Sequence, residues 1–239
     1  GASFAWHRVY TPGIAEPATT GTGSISEMLT NITNDDVTTT YVFTVSAGGC
    51  SSYADVLLTV HPTPRLSGSL SDSVCSGSTF NYTPSSPTAG ATFSWVRDVV
   101  TGITPSTPSS GTGNVSELLG NTTVDPLTTV YHFSLSANGC SSARDLSVTV
   151  YPEQLPGTIT TAPPSSLCSG TLFQNFGTSV AAAAGTTYTW SADNATIWAT
   201  GAGRQYCRGS VPSAGKATVT LNVGSGSPCA STNTYTGAV

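Results

Sequence analysis

Across 239 residues the chain carries a net charge of −5, only 8% charged residues and a single lysine, Lys216. That balance offers no basic stripe for nucleic acid and little attraction to an anionic membrane, and no run approaches the roughly eighteen apolar residues of a membrane span. With 38% apolar residues and 4 Trp, 9 Tyr and 7 Phe, the chain has the material for packed cores rather than a disordered linker.

In chain order, the sequence opens at Gly1 inside a strand-like run, Phe4-Ala5-Trp6, with no signal peptide. Such an opening is expected of a processed or excerpted piece of a larger protein. A Gly21-Thr22-Gly23 turn follows, then Ile25-Ser26-Glu27-Met28-Leu29, where at most one helical turn is expected, with Glu27 as its cap. Asp35-Asp36 marks the next turn, ahead of a period-two stripe, Tyr41, Phe43 and Val45. Gly49-Cys50-Ser51-Ser52 leads into a last strand that ends at the Pro62-Thr63-Pro64 hinge, where proline removes ladder donors.

Next comes a copy. Residues 25–62 align without a gap to 115–152 at an offset of 90. Ser26-Glu27, Leu29, Asn31 and Thr33 return as Ser116-Glu117, Leu119, Asn121 and Thr123, and Gly49-Cys50-Ser51-Ser52 as Gly139-Cys140-Ser141-Ser142. The same short helical turn, one at most, is expected at Leu118-Leu119, with Glu117 as its cap. Phe93-Ser94-Trp95 answers Phe4-Ala5-Trp6. This second copy has additional strands upstream, read as Leu66-x-Gly-x-Leu70 and Phe80-x-Tyr82, with Val74-Cys75-Ser76-Gly77 between them. A third, divergent copy opens at Leu167-Cys168-Ser169-Gly170, carries Tyr188-Thr189-Trp190, and places Cys229 where Cys50 and Cys140 fall. A period near 90 is too long for a solenoid and suits one small sandwich. Short β-branched runs between Gly, Pro, Ser and Asn turns make each copy all-β.

Six cysteines without Cys-x-x-Cys spacing favour disulfides, and hence an oxidising extracellular or cell-surface setting, over zinc. Matched positions predict Cys75–Cys140 and Cys168–Cys229, each bridging the sheets of its own module over a loop of about 60 residues. Cys50 and Cys207 are left over, as unpaired thiols or as bridges to a neighbouring subunit. Trp6, Trp95 and Trp190 read as equivalent core residues beneath the sheet-to-sheet contact.

Catalytic patterns do not emerge. His7, His61 and His132 are scattered, and neither a G-x-S-x-G elbow nor an H-E-x-x-H pair occurs. Asp35, Asp36 and Asp125 lack the D-x-D-x-D-G spacing of a calcium loop, so neither metal nor cofactor is expected. Asn31, Asn81, Asn114, Asn121 and Asn194 open N-x-[ST] triplets, a pattern that chance supplies in so Ser/Thr-rich a chain.

The series aromatic-x-Trp, Gly-Thr-Gly, Ile/Val-Ser-Glu-x-Leu-x-Asn-x-Thr, Thr-x-Tyr-x-Phe, Gly-Cys-Ser and Val-x-Val-x-Pro resembles the PKD-like (polycystic-kidney-disease-type) repeats of Bacteroidota surface proteins. The resemblance covers residues 1–152 well and 153–239 more loosely, with Gly237 standing where the other copies have Leu58 and Val148. It implies tandem immunoglobulin-like β-sandwich modules over 1–62, 63–152 and 153–239, the first lacking its N-terminal strands. The expected role is non-enzymatic: a surface adhesin or filament subunit, whose partners are other copies of itself, further repeats of the same polypeptide, or surface glycans. The alternative is a spacer or carbohydrate-binding region of a larger secreted hydrolase. The incomplete first module is expected to leave Trp6, Phe43 and Leu58 uncovered, until strands from upstream or from a neighbouring subunit are added.

Overall fold

Alternating apolar and polar residues, broken by glycine and proline turns, give strands throughout; no helix forms among the described residues. The computed structural model describes residues 1–152 and, beyond them, 172–177, 186–193, 195–197, 206–210, 218–225, 229 and 231–233.

The N-terminal unit is one antiparallel sheet in the order β2-β1-β3-β4, made of β1 (Ser3–Arg8), β2 (Thr19–Thr22), β3 (Val37–Ala47) and β4 (Cys50–Val60). The middle unit repeats this sheet and completes it. It contains β5 (Ser71–Cys75), β6 (Ser78–Tyr82), β7 (Thr92–Arg97), β8 (Ile103–Thr104), β9 (Ser109–Thr112), β10 (Val115–Asn121), β11 (Leu127–Ala137) and β12 (Cys140–Tyr151). Five of these form the sheet β5-β12-β11-β7-β9, and three form β6-β10-β8. Their inner faces enclose a core of Phe80, Trp95, Ile103, Val115, Leu119, Tyr131, Phe133, Leu135, Leu146, Val148 and Val150. Two sheets closing over one apolar layer make a β-sandwich.

Register follows the sequence offset. Ala47 pairs with Cys50 as Ala137 pairs with Cys140, and Trp6 faces Phe43 as Trp95 faces Phe133. Both long hairpins turn tightly through left-handed residues, Gly48-Gly49 in one and Asn138-Gly139 in the other. Such turns match the twist of the flanking strands and set Cys50 and Cys140 at hairpin tips.

In the C-terminal region, β13 (Leu172–Gly177), β15 (Thr196–Ile197) and β16 (Tyr206–Ser210) form one sheet. A second contains β14 (Thr186–Asp193), β17 (Thr218–Ser225) and β18 (Ser231–Asn233). Trp190 stands opposite Leu221 in the β14–β17 ladder, the counterpart of the Trp95–Phe133 pair.

Three expectations change. The strand read over Leu66–Leu70 begins later, at Ser71: Leu66 packs partly buried on the core, and Leu70 is exposed. No helical turn follows Glu117, because Leu118 and Leu119 belong to β10, with Leu119 inward and Leu118 outward. Trp6, expected to be uncovered, is 8% exposed, because Tyr41 meets its ring edge and β2 closes its other side.

An open apolar groove and the side chains around it

The groove exists because the two units share a sheet but not its cover. In the middle unit β5 lies parallel to β12, and β6 pairs with β10 across the sandwich. Phe80 of β6 packs against Tyr131 at 5.4 Å between ring centres, and Tyr82 against Phe133 at 5.5 Å. The corresponding positions of the N-terminal unit, Tyr41 and Phe43, instead line a groove of about 820 Å³, with Ile25, Met28, Leu29, Val56, Leu58 and Val60. Among the described residues, no strand pairs with the outer edge of β4. Val56 is 49% and Leu58 43% exposed, whereas their equivalents Leu146 and Val148 are both 0% exposed. Burying one such side chain stabilises by about 1.5–3 kcal/mol, so this face forgoes several kcal/mol while it stays open.

Behind the groove lies a polar device that occurs twice. Arg8 of β1 is buried, and its Nε donates to Glu27 Oε2 at 3.2 Å; its other nitrogens donate to the carbonyls of Glu16 and Pro17. Tyr41 donates its hydroxyl to the same carboxylate oxygen at 2.5 Å, and Thr19 donates to the other oxygen. In the middle unit Tyr131 donates to Glu117 at 2.6 Å. Arg97 Nε stands 3.3 Å from Glu117 Oε2 without hydrogen-bond alignment, while its terminal nitrogens donate to the carbonyls of Asp98, Pro105 and Thr107. Arg8 is thus satisfied on every side by a carboxylate and peptide oxygens, whereas Arg97 faces its carboxylate through charge alone at Nε.

The electrostatics follow. Burial alone would raise the Glu27 carboxyl. The hydrogen bonds from Thr19, Tyr41 and Arg8, with the guanidinium charge, outweigh it and hold the group below its usual value. Burial, then the hydrogen bond to Glu27 and its charge, pushes the Tyr41 hydroxyl up to about 12. Tyr131 is raised for the same reasons beside Glu117. These two glutamates, expected as helix caps, are the anionic centres of the cores. The sequence signal was Trp-x-Arg at Trp6–Arg8 and Trp95–Arg97 together with the recurring Ser-Glu.

Asparagine plays a second repeated part. Asn31 donates to the carbonyls of Asp35 and Val60 and accepts from the backbone and hydroxyl of Thr33. Asn121 makes the same four bonds, to Asp125, Val150 and Thr123. Both side chains are buried and fully used, so these N-x-[ST] triplets are structural locks rather than glycan acceptors.

At the surface, His61 contacts Asp36 at 2.8 Å, and His132 lies between Asp145 at 2.7 Å and Asp98 at 3.2 Å. The hydrogen bond to Asp145 is the main cause of a raised His132 pKa. Among the described residues, no group of His, Cys, Asp and Glu is arranged to hold a metal ion.

The cysteines depart from expectation. Cys75 bonds to Cys229, with Cα atoms 5.5 Å apart, while Cys50 and Cys140 are free thiols. The expected Cys75–Cys140 bridge is impossible because both residues belong to one sheet, at opposite ends. Cys75 pairs with Tyr151 at the end of β12, and Cys140 is the first residue of that strand, about 36 Å away at 3.3 Å per residue. Cys229 is committed to Cys75 and so cannot pair with Cys168, which lies outside the described residues. Cys207 stands in β16, opposite Phe176. Trp6, Trp95 and Trp190 are 8%, 6% and 4% exposed, each within its own sheet.

The completed middle sandwich coincides with a family match: residues 72–154 fit the model of the PKD-like domain. No curated protein matches the chain. Among solved structures, an endo-fucoidan hydrolase from glycoside hydrolase family 107 aligns at 14% identity and TM-score 0.26, over 94% of this chain and 36% of the hydrolase. Protocadherin gamma B7 extracellular cadherin domains 1–4 align at 14% identity and TM-score 0.29, over 86% of this chain and 57% of theirs. Zebrafish RET cadherin-like domains 1 to 4 align at 9% identity and TM-score 0.21, over 93% and 62%. The PKD-like domain is where the groove's missing cover is seen in place.

Proposed function

We propose that this chain is a non-enzymatic, extracellular structural or adhesive array, in which successive β-sandwich units are fastened end to end. The observation that carries this reading is the Cys75–Cys229 disulfide, which ties the PKD-like domain to the unit that follows it, 154 residues along the chain. Such a bond holds in an oxidising compartment and fixes two units at their junction, where tension along the chain would pass. PKD-like domains are structural and adhesive modules, which agrees. So does the use of the repeated charged groups, which are consumed by internal packing: Arg8 with Glu27, and Arg97 with Glu117.

Stretching the chain from its two ends tests the proposal. With the disulfide intact, the residues it encloses should stay out of the extension; after reduction, about 500 Å of further contour should appear at ~3.4 Å per residue. Equal extension in both conditions would mean that the bond is not formed in the folded chain, and the reading falls. Turnover of any polysaccharide by the isolated chain would overturn the non-enzymatic half of it.

A further inference from the structure

We propose that the open groove of the N-terminal unit is a strand-accepting site. Its occupant is a cysteine-bearing strand pair of the Val-Cys-Ser-Gly-x-x-Phe-x-Tyr class, which becomes bonded to Cys140. This deepens the structural reading and rests on it, but it can fail separately.

The chain itself shows the filled form of the site. Residues 71–82 of the PKD-like domain supply β5 beside β12 and the Phe80 and Tyr82 rings over Tyr131 and Phe133. In the N-terminal unit Tyr41, Phe43, Val56, Leu58 and Val60 present the same face, and the groove stands where those rings and that strand would lie. Main-chain bonds to the free edge of β4 would supply affinity, and alternate side chains entering the groove would set the register.

The disulfide gives the occupant its second requirement. Cys75 sits opposite Tyr151, and its partner Cys229 lies in the β17–β18 connection of the following unit. An early cysteine of one unit is thus bonded to a hairpin-tip cysteine of the next. At the offset of 90, the N-terminal unit's counterpart of Tyr151 is His61. The hairpin tip of the PKD-like domain is already seated there: Ser142 donates to the Pro64 carbonyl, Asn138 reaches Asp36 at 3.5 Å, and Cys140 lines the groove together with His61 and Thr63. A strand entering in the register of β5 would place its cysteine opposite His61, beside the free Cys140.

Among the described residues, a second copy of this chain has no such pair to spare. Its β5 and β6 are built into its own PKD-like domain, with Cys75 already bonded, and β13, just after Leu167-Cys168-Ser169-Gly170, is paired with β16. The occupant therefore comes from a repeat outside residues 1–239. In the bonding step each thiol loses its proton and the two sulfurs join. The electron pair passes to a small-molecule or protein disulfide, which is reduced to two thiols.

The probe is a synthetic peptide with the sequence of residues 66–82, added to the intact oxidised chain with a glutathione redox couple. Peptide mapping should place it on Cys140 at least ten-fold more often than on the more exposed Cys50. A peptide carrying Cys75→Ser should still bind reversibly, and one carrying Phe80→Ala and Tyr82→Ala should bind at least ten-fold more weakly. In the chain, Cys140→Ser should abolish bonding but not reversible binding, and Leu58→Asp, at an already exposed position, should weaken both. Equal labelling of Cys50 and Cys140 would reduce the effect to thiol reactivity and overturn the proposal. So would absence of binding by the Cys75→Ser peptide. Dimerisation of the chain through Cys140 that shuts the peptide out would make a second copy the occupant instead. None of these outcomes bears on tension through Cys75–Cys229.

Discussion

Glu117 is the residue on which two buried polar groups of the middle core, Tyr131 and Arg97, converge. Its carboxylate receives the Tyr131 hydroxyl at 2.6 Å and faces Arg97, whose side chain is fully buried. Removing one partner of a buried ion pair leaves an uncompensated charge. Glu117→Ala should therefore lower the stability of the PKD-like domain by about 3–5 kcal/mol in urea unfolding, and Tyr131→Phe by about 1.5–3 kcal/mol, the range for a hydrogen bond to a charged group. The N-terminal counterpart gives a pH signature. Because the folded pKa of Glu27 lies below its usual 4.5, its contribution is complete above pH 4.5 and is lost as pH falls through the folded value. Tyr41 works in the opposite direction: its contribution is complete below pH 10 and is lost as pH rises through about 12. Unfolding across both ranges should show two limbs, and Glu27→Gln should flatten the acid one; an unchanged acid limb would remove Glu27 as its source.

Between elements, one close fit that recurs is that of an indole against a strand with no side chain. A Cβ at Gly111 would lie 2.7 Å from the Trp95 ring, and Gly21 meets Trp6 in the same way. Gly111→Ala should cost about 1–3 kcal/mol, as overpacking does, visible as a lower urea midpoint with an unchanged slope. The same two sheets differ in what lies over them, which gives a paired prediction. Leu146→Ala in β12 should cost about 2–5 kcal/mol, while Val56→Ala at the equivalent place in β4 should stay within about 0.5 kcal/mol. Adding the groove-filling peptide should bring the second value toward the first. The strand pairing behind this comparison was legible in the sequence, because period-two stripes and the offset of 90 determine register. The partner of Arg8 was not, because a carboxylate 19 residues away meets it only once the segment after β2 folds back over the sheet.

For the whole molecule, the PKD-like domain holds two closed sheets and an eleven-residue buried cluster, whereas residues 1–62 hold a single sheet. One sheet cannot bury its own apolar face. Excised residues 63–152 should unfold in one cooperative step, while excised 1–62 should give a collapsed, poorly dispersed NMR spectrum. A well-dispersed spectrum from 1–62 alone would show that β2 and the 25–31 segment suffice as cover.

Local pattern determined much of this protein by itself: strands rather than helices, the matching register of the two long hairpins, and the burial of Trp6, Trp95 and Trp190. Each depends on alternation, turn residues or self-similarity, which are properties of neighbouring positions. The cysteine pairing, the burial of Arg8 and Arg97 with their glutamates, and the locking of Asn31 and Asn121 were decided by tertiary structure. Equivalent position in a repeat does not say whether two residues share a sheet end or lie about 36 Å apart along it. Cys75 found Cys229 because Cys229, between β17 and β18, comes within 5.5 Å of the end of β5, a proximity that no local pattern carries.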